Sequence, residues 1–569
     1  MNQIATPKGH PKGLYVLFAT EMWERFNYYG MRAILILFMT KALLFDKAFA
    51  SSLYGSYTSL VYLTPLVGGF VADRYWGNRR SIITGGLLMA LGEFLLFGCA
   101  SIYASNPQLA SLLFFSGLGF MISGNGFFKP NISSMVGQLY PANDRRIDAA
   151  YTIFYMGINV GGALGPALCG GLGDTGNPAD FKWAFLCAGI GMLLSVVVFQ
   201  WLKDFYIRKS SGEPLGIVPA EAPKNATNPI VVIPALLLFS ALAIGMLWVD
   251  AKEFPFLTYL LIAAVVIIIV MIFSDKSLTV IEKKKIGVIF ILSFFVVFFW
   301  AAFEQAGASL TFFADEQTDR VLNWNIPVWV ISALSAVAIY YIYVLIRKIN
   351  TKMIEDPKSV KTTLAVLLLL AGAYLVYLNI SLYSAGDMTI TVKELPASAF
   401  QSLNSLFVVA FAPLFAWIWL KLGKYEPSSP TKMAIGLLLL ALGYVVIGVG
   451  VKSVAPGMKV TMLFLISMYA LHTWGELCLS PIGLALVNKL SPVRFASLLM
   501  AVWFLANAGA NKLAGELSAL YPDKSPTQFM GFQISNLYEF FMLFVIMAGV
   551  ASLILFMITK QLQKLMNAQ

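Results

Sequence analysis

Residues 21–30, EMWERFNYYG, set two carboxyls, a guanidinium and two phenols inside a run whose flanks, LYVLFAT and MRAILILFMT, are apolar. At about 100° per residue, Glu21, Glu24, Arg25, Tyr28, Tyr29 and Arg32 fall within an arc of roughly 140° on one helix face. Such a face can take up and release protons, pair acid with base, and hold a charged solute. A charged side chain at mid-bilayer costs about 2.5–3.5 kcal/mol on insertion scales, so the stripe must face water or partner charges, not lipid. Clamping the first helix to its neighbours is the plainer use, and four charges exceed what a clamp needs.

Other ionisable groups stand in apolar runs: Lys129, Glu304, Glu476, Lys512 and Glu93. Lys129, in GNGFFKPN, sits where glycines permit close helix approach and Pro130 loosens the backbone. Glu476 occupies the related helix of the second half, so a Lys129–Glu476 pair that forms in one conformation and breaks in another would be a gate; a permanent bridge is the alternative. For Glu93 and Lys512 a structural or snorkelling use fits better. GGFVADRYWGNRR (68–80) groups Asp73, Arg74, Arg79 and Arg80 around Gly77, a set able to bridge neighbouring helix ends or simply to fix topology. The sequence holds no GxxxxGK[ST], no HExxH and no His/Cys cluster, only His10 and a lone His472, which argues against a nucleotide motor or a metal site. Energy must then come from an ion gradient, and the intramembrane carboxylates are the groups able to take protons.

These residues need elements that carry them through hydrocarbon. The 569 residues are 59% hydrophobic and 12% charged, with mean hydropathy +0.76, which predicts an all-α polytopic membrane protein. Sixteen apolar runs are expected, near 14–42, 51–75, 80–103, 108–139, 147–172, 182–203, 229–249, 256–274, 285–314, 327–346, 361–383, 397–421, 431–451, 459–489, 494–518 and 536–559. They divide into a six-helix bundle over 1–205, a polar linker over 206–228, an inserted pair over 229–275, and a second six-helix bundle over 284–569 with an extra hairpin at about 327–383. The net charge of +11 reads as topology, because Lys and Arg gather in alternate loops; by the positive-inside rule those loops and both termini are cytoplasmic. Cys99, Cys169, Cys187 and Cys478 lie in apolar runs without CxxC spacing and read as packing residues. A cleavable signal peptide is not expected, since the first 12 residues are polar and the first apolar run is charged. Weak internal symmetry supports two halves: FYMGINVGGALG (154–165) and VWFLANAGANKLAG (502–515) both place an aromatic four residues before an asparagine, Tyr155 with Asn159 and Trp503 with Asn507.

EMWERFNYYG matches the ExxERFxYYG pattern of the proton-dependent oligopeptide transporters, a branch of the major facilitator superfamily. GGFVADRYWG, GNGFFKPN, FYMGINVGGALG, FFWAAFEQAG, FQSLNSLF and GELCLSPIG follow in family order over nearly the whole chain, so the sequence resembles that family closely. The resemblance implies a major facilitator fold and symport of di- and tripeptides with protons by alternating access, in a bacterial inner membrane, with the proton gradient as energy source and no cofactor. It implies that Arg25, Tyr29 and Lys129 meet the peptide carboxylate, that Asn159, Asn404 and Glu476 meet its amino group, and that Tyr28, Tyr62, Trp300 and Trp503 line side-chain pockets. Glu21 and Glu24 resemble the coupling acids, with Arg25 as their partner; Arg32 with Glu304, and Lys129 with Glu476, resemble gate pairs on the outer and inner sides. Peptides, protons and lipid are the expected partners, with no nucleic acid; a monomer suffices, and the sequence leaves the oligomeric state open. Animal members carry a histidine at the position occupied here by Gly55, so coupling here must rely on carboxylates. The 327–383 hairpin lies outside the family pattern. Nitrate, an amino acid or a peptide-like compound on the same fold is the alternative solute, and a membrane-embedded enzyme a distant one.

Overall fold

The computed structural model describes residues 9–141, 144–223, 225–252, 254–352, 356–384, 386, 388–455, 457–523 and 525–567. The first half comprises α1 (Lys12–Lys41), α2 (Lys47–Leu63), α3 (Pro65–Val71), a π-helical turn at Ala72–Trp76, α4 (Gly77–Ile102), α5 (Pro107–Gln138), α6 (Ile147–Gly173) and α7 (Phe181–Tyr206). Then come α8 (Pro229–Lys252), α9 (Phe256–Phe273), α10 (Val280–Phe303), α11 (Ser309–Glu316) and the two-residue β1 (Thr318–Asp319). β2 (Val321–Pro327), α12 (Val328–Lys352), α13 (Lys358–Ser384) and β3 (Thr389–Glu394) form a separate compact unit. The main unit resumes with α14 (Ser402–Leu422), α15 (Ser429–Ser453), β4 (Val460–Thr461), α16 (Met462–Leu490), α17 (Ala496–Ser518), the hairpin β5 (Thr527–Phe529) and β6 (Phe532–Ile534), and α18 (Leu537–Met566).

Thirteen helical stretches are long and apolar enough to cross a membrane. One of them, Lys47–Ile102, holds two spans separated at Gly77, whose φ of 71° makes the turn. α1 and α17 complete sixteen spans among the described residues; their interior polar groups keep them below the same apolarity. Helix starts follow the sequence chemistry: Asp46 and Asn106 accept the Phe49 and Leu109 amides, and Thr279 with Glu282 closes a capping box.

Glycines bring the first-half helices together. A Cβ on Gly85 would lie 2.5 Å from the Gly124 carbonyl oxygen, and one on Gly161 2.2 Å from that of Met22, so α4 meets α5, and α6 meets α1, backbone to backbone. Beside these, Asn27 of α1 donates to the buried Glu93 at 2.9 Å and to the Ala188 carbonyl at 3.0 Å, which makes Glu93 a bridge within the bundle. In the second half Tyr444 stacks on Phe544 with ring centroids 4.8 Å apart and donates to the Ala302 carbonyl at 2.7 Å. Cys99, Cys169 and Cys478 are buried, Cys187 partly so, and all four are free.

The run expected at 285–314 is broken. α10 stops at Phe303, a 3₁₀ turn spans Glu304–Gly307, and α11 follows. Gly307 of this turn abuts Tyr54 so closely that a Cβ would fall 1.8 Å from its hydroxyl. The loops also carry short strands. In the separate unit, β2 and β3 pair antiparallel with a bulge between Val321 and Trp324, and the Leu395 amide donates to the Arg320 carbonyl at 3.0 Å, holding the two ends of the unit together.

Candidate functional site

α1 runs from Lys12 to Lys41, and its middle presents the charged stripe. Arg25 Nε stands 2.6 Å from Glu24 and 3.0 Å from Glu21, and all three side chains are buried. Asn125 of α5 donates to Glu24 at 3.3 Å, and the Arg25 guanidinium lies 5.5 Å and 6.0 Å from the rings of Tyr28 and Tyr29. Two carboxylates around one guanidinium leave the trio one negative charge in excess when both acids are ionised, so a proton, or release of Arg25 to another anion, changes its balance.

Lys129 of α5 lies 4.6 Å above the Tyr62 ring, a cation–π contact. On the second half, Glu476 accepts from Asn404 at 2.8 Å, and Asn404 also donates to Thr473 at 3.2 Å. Lys129 and Glu476 therefore each have another partner and are not joined in this conformation. Asn159 donates to the Tyr155 carbonyl at 2.9 Å, and Asn507 does the same to Trp503 at 2.9 Å, so the motif repeated in the two halves is also repeated in geometry. Trp300 packs edge-on to Phe299 and Phe303, and Trp503 lies over Gly483, where a Cβ would collide with its ring.

Towards the Lys41 end of α1 the halves are locked. Arg32 pairs with Glu304 and also donates to Tyr54, all three side chains being buried. Beyond this, Lys41 meets Asp315 at 2.7 Å, Lys47 meets Glu316 at 2.7 Å and Asp523 at 3.1 Å, and Asp174 accepts the Ser398 amide and hydroxyl, each at 3.1 Å. A Cβ on Gly55 of α2 would lie 2.6 Å from Gly515 Cα of α17, so no side chain fits at that point of the seam. These ion pairs between the two halves all lie towards this end.

The opposite end, marked by Gly77, differs from expectation. Of its four grouped charges only Arg79 bridges: it reaches Asp204 at 2.5 Å and the Leu215, Ile207 and Lys203 carbonyls at 2.5, 2.7 and 3.1 Å, pinning the linker beneath α4. Asp73, Arg74 and Arg80 are exposed, and Arg74 lies over the Phe70 ring. In the loop between α5 and α6, Arg146 grips Asp144 at 2.6 Å, and its hydrogen bonds hold that carboxyl down at about 2. Depression below the ordinary carboxylate value keeps the pair ionised throughout the mildly acidic range.

The POT family model matches residues 79–376 and 378–530. The chain belongs to the POT family. A transporter of Bacillus subtilis described as uncharacterized, YclF, is 33% identical over 92% of this chain and 90% of its own length. The peptide transporter YePEPT of Yersinia enterocolitica is 32% identical, covering 92% and 91% of the two chains. A di-/tripeptide transporter of Lactococcus lactis is 31% identical, covering 98% and 97%. Among solved structures, a mutant of the peptide transporter POT in complex with alafosfalin superposes with TM-score 0.73 at 29% identity, over 99% of this chain and 97% of the other. A POT family transporter in complex with 5-aminolevulinic acid also gives 0.73 at 29%, over 98% of each chain. The fold of this POT-family member is thus the two-half major facilitator type.

Sequence reasoning missed Tyr54 and Asn125, the second partners of Arg32 and Glu24, because a lone Tyr or Asn in an apolar helix gives no signal of its own. It also missed Asp250, which falls one residue beyond the expected 229–249 run, although α8 continues to Lys252 and buries it. Lys512 does not snorkel: it is 3% exposed and paired with Asp250. Two concavities, of about 430 Å³ beside Phe313, Val451 and Asn536 and about 570 Å³ between α12 and α13, contain none of the expected site residues.

Proposed function

We propose that this POT-family member imports di- and tripeptides together with protons across a bacterial inner membrane, without chemically converting its solute and with the proton gradient as its energy source. The observation that carries the reading is the division of charge. The Arg25 cluster and Lys129 belong to the first half, while Glu476, fixed by Asn404, belongs to the second. A peptide zwitterion needs a cationic and an anionic pole, and two poles on separately moving halves bind it while leaving its side chains to the aromatic groups Tyr28, Tyr62, Trp300 and Trp503.

In this reading a peptide carboxylate draws Arg25 away from Glu21 and Glu24, which then take protons. Glu304 holds Arg32 while the Lys41 end is closed, and its protonation frees that end to open. At 100 mV each proton carried inward contributes about 2.3 kcal/mol, enough to bias a two-state equilibrium by tens of fold. The basic Gly77 end is taken as cytoplasmic under the positive-inside rule, as are both termini, so the locked Lys41 end faces outward. A monomer contains both poles.

Uptake of radiolabelled dialanine into proteoliposomes, with acidic exterior and negative interior, tests the proposal. Accumulation that collapses with a protonophore is expected; active protein that never accumulates dialanine would refute it. The alafosfalin and 5-aminolevulinic acid complexes of the solved relatives favour a second reading, a peptide-like or amino-acid zwitterion, for which either compound serves as the alternative label.

A further inference from the structure

One buried ionic cluster lies outside the peptide and proton groups. Lys512 of α17 places its Nζ 2.7 Å from Asp250 of α8, 2.8 Å from Glu516 and 3.0 Å from the Ser56 hydroxyl of α2. Ser56 donates to the same Asp250 oxygen at 2.5 Å, and the other Asp250 oxygen accepts the Leu257 amide at 2.7 Å, fixing the turn into α9. Glu516, nearly half exposed, also accepts from Ser52 at 2.9 Å. Three segments meet here: α2 of the first half, α17 of the second, and the inserted pair.

The pair straddles the seam between the halves. α8 packs on α5, with Trp248 4.7 Å from Phe115 and Phe239 5.6 Å from Phe127 between ring centroids, and Gly119 makes room for Ile244. α9 lies against α17. When α17 leaves α2, Lys512 must leave Ser56, and it must also leave Asp250 unless α8 is torn from α5. Asp250 is fully buried in its side chain, so separation strips it of its cation, while Lys512 keeps only Glu516 of its own helix.

We propose that Asp250 is a positioning residue of the transport cycle: paired with Lys512, it latches the α2–α17 seam and sets the balance between closed and open forms of the Lys41 end. The inserted pair is then a strap, not only scaffold. The inference rests on the alternating-access reading above.

The test uses the full-length protein in liposomes, spin-labelled through Leu44→Cys and Met530→Cys, both exposed residues on connections at that end. Asp250→Asn is expected to enlarge the widely separated population about threefold or more and to slow gradient-driven uptake. The exchanged pair, Asp250→Lys with Lys512→Asp, should return both readouts towards the starting protein, which a merely structural role would not do. If Asp250→Asn fails to fold, Asp250→Asn with Lys512→Met leaves no lone buried charge and must show the same widening. Unchanged distances, or an exchanged pair no better than the single variants, overturn the latch. Dialanine counterflow separates the two readings: distances that shift in a protein that never exchanges dialanine leave the latch standing and remove the peptide reading, whereas exchange without a shift does the reverse.

Discussion

Arg25 is shared by two buried acids, and that sharing makes each acid separable by mutation. In Glu24→Gln the side-chain carbonyl still accepts from Asn125, and Glu21 still pairs with Arg25 at 3.0 Å, so folding should persist. Gradient-driven accumulation should fall about tenfold or more, while proton-independent counterflow stays within about threefold; measuring both in one liposome preparation checks this. Accumulation unchanged from the starting protein would remove Glu24 from coupling. Glu304→Gln deprives Arg32 of its counter-charge. Breaking one side of a buried pair costs about 3–5 kcal/mol, so the Lys41 end should open, and adding Arg32→Gln should recover part of that loss in a double-mutant cycle of label distances. The charged members of this network were legible in sequence because charge in an apolar run is rare. Tyr54 and Asn125 were not, since their types are ordinary there and only the three-dimensional approach gives them a role.

At the scale of elements, the α2–α17 seam depends on two glycines facing each other. Gly55→Leu puts a branched side chain where even a Cβ would lie 2.6 Å from Gly515 Cα, so the closed form is penalised directly. We expect the variant to populate the form open at the Lys41 end and to lose uptake, with normal assembly by gel filtration; a distance distribution identical to that of the parent would contradict this. Helix positions could be read from apolar runs and their caps. The break at Glu304–Gly307 could not, because FEQAG alone permits a continuous helix as readily as a turn, and the close approach of Tyr54 from another helix exists only in the folded chain. Asp250 was hidden for a related reason: an acid after an apolar run resembles a loop residue until its burial is known.

At the scale of the molecule, residues 320–395 form a unit whose ends are already bonded, Leu395 amide to Arg320 carbonyl. Replacing 320–395 by a short Gly/Ser linker should therefore preserve the remaining bundle, since closing so small a gap adds little loop entropy. Dialanine counterflow within about threefold of the full chain is expected; loss of exchange by a properly folded deletion protein would instead give that unit a part in transport. The inserted strap has a consequence of another kind. α9 has 18 residues, so at 1.5 Å per residue it is about 27 Å long, whereas the hydrocarbon of a typical bilayer is about 30 Å thick. A bilayer thicker than the helix pulls on the buried turn at Asp250, and a thinner one relieves it. Acyl-chain length would thereby become a regulator of turnover, giving the same polypeptide different speeds in membranes of different composition.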